Sequence, residues 1–174
     1  MAERNELGLR AGGDFTIAGA EASYAPDLAL EPKHLAIALR LDIEAERAEG
    51  SVCTRVRCNR AGSRTLVLDA VALDIGAVDG VDWRYDGTRL HLTWAEPFTS
   101  GEEREFTVRY AVQSPISGML FRHPDDAYPD RPLLVATDHE TERARYWLPC
   151  VDYPTVRTTF EFELTVREGL TVLA

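Results

Sequence analysis

From His34 onward the chain alternates. Leu35, Ile37, Leu39, Leu41 and Ile43 are apolar, while His34, Ala36, Ala38, Arg40, Asp42 and Glu44 intervene. Successive side chains of an extended strand project to opposite faces, so this run predicts a long strand with one buried face. The charged stretch over residues 45–50 predicts a turn. Beyond it, Val52, Thr54, Val56 and Cys58 alternate with Cys53, Arg55, Arg57 and Asn59, which predicts a second strand in an antiparallel hairpin with the first. After Ala61-Gly62-Ser63, Leu66 and Leu68 share one parity and Val71, Leu73 and Ile75 the other. A parity flip near Asp69-Ala70 marks a bulge or a corner between strands.

Asp79-Gly80 and Asp86-Gly87 are turn signals around Val81, Trp83 and Tyr85, with Leu90, Leu92 and Trp94 beyond. Residues 96–103, with Pro97 and Gly101, read as a loop. Phe106, Val108, Tyr110 and Val112 predict another strand, and Phe160, Phe162, Leu164 and Val166 a last one. A helical period is confined to residues 141–147, two turns at most. The pattern predicts an all-β fold of eight to ten strands: an antiparallel β-sandwich, or a saddle-shaped two-sheet domain, with at most one short helix. The expected core contains Leu35, Ile37, Leu39, Leu41, Phe106, Val108, Phe160, Phe162 and Leu164. Residues 1–30, small and polar, read as an extended arm, and residues 31–174 as the domain.

The 174 residues suit one domain, and 45% hydrophobic content provides a core. Nineteen lysines and arginines against 29 aspartates and glutamates give a net charge of -10, which argues against nucleic acid and anionic membrane as partners. No apolar run approaches the ~20 residues of a membrane span. The first residues carry charges of both signs without an apolar stretch, so a cytoplasmic location is expected. Cys53, Cys58 and Cys150 are too few and too unpaired for a disulfide framework.

Candidate chemistry is sparse. Asp138-His139-Glu140 offers three ligand types in a row, yet consecutive extended residues point apart, and the residue four after His139 is Arg143 rather than the second histidine of a zinc helix. His123 with Asp125 and Asp126 lies in a proline-rich loop. Neither a Gly-x-Ser-x-Gly elbow nor a phosphate loop is present. Taken alone, these residues describe a β-sandwich without a self-contained active site and with no metal site.

The stretch Ala136-Thr137-Asp138-His139-Glu140, continuing through Ala144-Arg145 to Pro149-Cys150-Val151-Asp152-Tyr153-Pro154, resembles the aminopeptidase N family of zinc metallopeptidases, which includes the leukotriene hydrolases. Pro32-x-His34 with its strand, Gly50 and Gly118-Met119-Leu120-Phe121 extend the resemblance over about residues 30–170. Asp138 stands where that family has glutamine, and Met119 where it has an aromatic. The resemblance implies an N-terminal domain, truncated at its C-terminal side and without its catalytic domain. Zinc is then expected in that missing domain and no cofactor in this chain. It implies that Glu140 binds the free amino group of a peptide substrate, while Arg145, Pro149, Cys150, Asp152 and Pro154 form a structural motif. No residue of this chain is expected to be catalytic. An open sheet edge would favour self-association. The alternatives are a non-catalytic scaffold for protein–protein assembly and a stand-alone ligand-binding sandwich.

Overall fold

The structure, a computed structural model, describes residues 25–173. The expected N-terminal arm falls largely on residues 1–24, outside the described residues. Among the described residues the strands are β1 (Leu30–Asp42), β2 (Arg47–Cys58), β3 (Thr65–Asp69), β4 (Asp74–Asp79), β5 (Asp82–Tyr85), β6 (Arg89–Thr93), β7 (Glu103–Gln113), β8 (Met119–Arg122), β9 (Leu134–Thr137) and β10 (Thr159–Thr165). Five form one sheet in the order β10-β1-β2-β7-β4; three form a second in the order β3-β6-β5; β8 and β9 pair as a small hairpin. The fold is all-β, as the alternation predicts. Residues 141–147 hold a single 3-10 turn over Ala144–Tyr146, within the two turns at most that the pattern allows. Among the described residues no helix is long and apolar enough to cross a membrane.

The first two sheets face one another through their apolar parities. Leu35, Ile37 and Leu39 of β1, Val52 and Val56 of β2, and Phe106 and Val108 of β7 are buried against Leu66, Leu68, Leu90 and Leu92 of the smaller sheet. Each such aliphatic side chain contributes about 1.5–3 kcal/mol on leaving water. The parity flip at Asp69-Ala70 is the corner where the chain leaves β3 in the small sheet for β4 in the large one. Between β6 and β7 the loop inserts Phe98, whose ring meets Trp94 edge-on at 5.1 Å and lies under Arg104 at 4.0 Å. The outer face of the large sheet is polar and carries cross-strand pairs such as Arg55–Glu105 at 2.9 Å.

Three expectations are corrected. The turn after β1 is shorter than residues 45–50: Glu46 N–H donates to Ile43 O at 3.2 Å, and β2 already runs from Arg47. Gly50 lies inside that strand, where an added Cβ would stand 2.0 Å from the Ala38 carbonyl oxygen. It marks a close backbone approach instead of a turn. Second, β10 runs parallel to β1, so the large sheet is mixed. Third, Phe160 and Phe162 are 55% and 44% exposed, and Leu41 and Leu164 only partly buried. Their register opposite Leu35 and Ile37 puts both rings on the core face. They stand at the sheet margin, however, and stack on each other at 6.0 Å.

A core substitution separates these positions. Phe98→Ala, at a site 1% exposed, is expected to cost about 3–5 kcal/mol, whereas Phe162→Ala should cost no more than about 1.5 kcal/mol. Urea unfolding of the two variants checks this; equal losses would place Phe162 in the core after all.

Candidate functional site

The segment that follows β9 is built around backbone contacts and one arginine. At its start Asp138 N–H donates to Gly118 O at 2.9 Å, joining the loop to the residue before β8. Gly118 has φ +78°, and a Cβ there would meet the Arg143 carbonyl oxygen at 2.0 Å. Only glycine accepts both that backbone conformation and that approach. Glu140 N–H donates to Asp138 Oδ1 at 3.2 Å, and Arg143 N–H to His139 O at 3.2 Å. The loop then enters the 3-10 turn and buries Trp147 and Leu148 in the core.

Arg145 collects three carboxylates. Its Nε donates to Asp152 Oδ2 at 2.9 Å, and its backbone N–H to the same oxygen at 3.1 Å. Nη2 donates to Glu142 Oε2 and to the Asp152 carbonyl, both at 2.9 Å. Nη1 stands 3.8 Å from Asp69 Oδ1. Asp69 in turn forms an antiparallel bridge with Cys150 and accepts the Asp152 N–H at 3.1 Å, a contact between residues 83 apart in sequence. Pro149 is fully buried, and Pro154 is exposed in the turn beyond Asp152. Burial pushes the Cys150 thiol well above its usual range, and the Asp152 and Asp69 carboxylates add to the shift. A thiol so held is a poor nucleophile.

Glu140 has a different setting. It is exposed at the loop tip, and among the described residues its carboxylate makes no hydrogen bond or ion pair. Both neighbouring arginines are engaged elsewhere: Arg143 faces Asp138 at 3.6 Å and Arg145 faces Glu142. Neither Arg143 nor Arg145 is an ion-pair partner of Glu140.

His123, Asp125 and Asp126 do not converge. His123 Nε2 lies 3.0 Å from Glu46 Oε1, and Asp125 pairs with Arg131. His34 contacts Thr159, His91 contacts Asp86 and His139 contacts Trp147, so the four histidines serve four separate places. Among the described residues no three His, Cys, Asp or Glu side chains could hold a metal ion. The described residues therefore do not fit a zinc ion.

The family model of the Peptidase M1 N-terminal domain matches residues 31–174. The chain belongs to this family. Solved structures agree in fold. The M1 zinc metallopeptidase from Deinococcus radiodurans, bound to a Tyr-Ser-Ala substrate, is 24% identical with a TM-score of 0.64, over 79% of this chain and 33% of that one. A two-domain M1 zinc metallopeptidase bound to L-arginine is 23% identical with a TM-score of 0.65, over 80% and 33%. Yeast LTA4 hydrolase in complex with bestatin is 20% identical with a TM-score of 0.66, over 79% and 23%. This M1 N-terminal domain thus spans a third or less of the length of these solved relatives. No protein of curated function matches it.

Sequence reasoning reached Arg145 and Asp152 but missed Asp69 and Glu142, which complete the cluster. The signal for Asp69 was present as the parity flip at the corner; nothing in the pattern said that Cys150 would bridge to it. Arg145→Met should destabilise the domain by about 3 kcal/mol, because it leaves partly buried carboxylates unpaired. Arg145→Lys keeps the charge without the planar fork and should recover only part of the loss. Denaturant unfolding of both variants checks the order; a neutral Arg145→Met would dissolve the cluster's structural role.

Proposed function

We propose that this M1 N-terminal domain forms one wall of the substrate cleft of a zinc-dependent aminopeptidase, where Glu140 receives the peptide's terminal ammonium. Zinc and the hydrolytic water belong, on this reading, to a catalytic domain outside this chain. The observation that carries it is the unpaired Glu140 carboxylate, held at the tip of a pinned loop while the acids on either side have arginine partners. An ionised carboxylate is acceptor-only and pairs strongly with an ammonium. Family membership supplies the aminopeptidase context.

The zinc-bound peptidase that contains this domain provides the test. One charge-assisted bond in a partly desolvated cleft contributes about 1.5–3 kcal/mol. Glu140→Ala should therefore lower kcat/KM about 10- to 100-fold on a peptide with a free N-terminus, and leave the N-acetylated peptide nearly unaffected. Glu140→Gln should lose less, since an amide oxygen still accepts. Equal losses on both peptides, or none on either, would leave Glu140 a loop residue and favour the non-catalytic scaffold. Metal analysis of the 174-residue chain alone should find no stoichiometric zinc; one tight ion per chain would overturn the assignment of the metal to another domain.

A further inference from the structure

We propose that His139 is the positioning residue for Glu140, fixing its loop by accepting the hydrogen bond of a buried tryptophan. This rests on Glu140 being the ammonium site. Trp147 is 3% exposed, and its indole Nε1–H donates to His139 Nε2 at 3.0 Å. A buried indole N–H requires an acceptor, and His139 provides it. The two rings are close to parallel, 23° apart with centroids 5.5 Å apart. Because Nε2 accepts, the neutral imidazole carries its proton on Nδ1.

The anchor adjoins the functional group in sequence. His139 directly precedes Glu140, and Trp147 is part of the core cluster. From the other side the loop is held by the Asp138 N–H on Gly118 O and the Arg143 N–H on His139 O. Gly118 itself sits against Trp147, where an added Cβ would stand 3.2 Å from Cδ1. The Asp138–Arg143 ion pair, 3.6 Å long between exposed side chains, adds little restraint. Glu140 has no side-chain partner among the described residues, so its carboxylate takes its position from these neighbours. Glu142, two residues on, is tied to Arg145, but the tie on the His139 side of Glu140 is the Trp147 hydrogen bond; removing the acceptor cuts it, and a carboxylate displaced by about 1 Å is a poorer ammonium site.

Two variants separate the acceptor from the ring. His139→Gln offers an amide oxygen to Trp147; His139→Phe offers a ring and no acceptor. In the zinc-bound peptidase that contains this domain, His139→Phe should lower kcat/KM about tenfold on a free-N-terminus peptide and spare the N-acetylated one. His139→Gln should restore most of the loss, and His139→Phe should have no further effect in a Glu140→Ala background. In the 174-residue chain, nitrogen-15 NMR at a pH above the imidazole range should show His139 as the Nδ1–H tautomer, and Trp147→Phe should abolish that preference. An Nε2–H tautomer in the unaltered chain overturns the proposal. So does a full-activity His139→Phe where Glu140→Ala is impaired, or a His139→Phe loss that persists without Glu140. If Glu140→Ala alone has no effect, the ammonium reading fails and the positioning role falls with it; the tautomer then still reports whether the Trp147 tie exists.

Discussion

Arg145 places one guanidinium among Asp152, Glu142 and Asp69, and the geometry of the whole 138–154 segment depends on it. Three carboxylates this close would repel one another without a cation between them. A guanidinium suits the place because it stays charged and presents several donors in a fixed plane. The Asp69 bridge to Cys150 then ties the cluster to the corner between the two main sheets. Chain entering from β9 and chain leaving toward β10 are thus referenced to the same rigid point.

That reference point separates structural acids from available ones. Asp138, Glu142 and Asp152 lie near Glu140 in sequence, and each has an arginine partner. Glu140 is left with its carboxylate facing solvent at the tip of the loop. Binding groups sit on loops held by a scaffold because a loop can present a side chain without burying its backbone. The net charge of -10 is compatible with the cationic ligand proposed for Glu140.

The division between the sheets also explains where the apolar pattern misleads. Leu35, Ile37 and Leu39 are buried as their alternation predicts, and Phe160 and Phe162 share their face through the parallel pairing of β10 with β1. Alternation reports the face on which a side chain stands. Whether another layer extends over that face at the sheet margin is a matter of how far each sheet reaches, which local sequence does not encode.

From the residues alone came the all-β class, most strand positions, the corner at Asp69-Ala70, the resemblance to the aminopeptidase N family, and Glu140 with its neighbouring Arg145–Asp152 motif. The class, the strands and the corner are properties of local periodicity and turn chemistry, whereas Glu140 and the Arg145–Asp152 motif are what the family resemblance implies. Tertiary structure decided the parallel direction of β10, the place of Gly50 inside a strand, and the partners of each charge. Asp69 meets Asp152 across 83 residues, and His139 meets Trp147 only because the intervening turn folds back on itself. Coulomb attraction and hydrogen bonding act on distance in space, so which carboxylates Arg145 holds, and which it leaves unpaired, is settled only when the chain has closed.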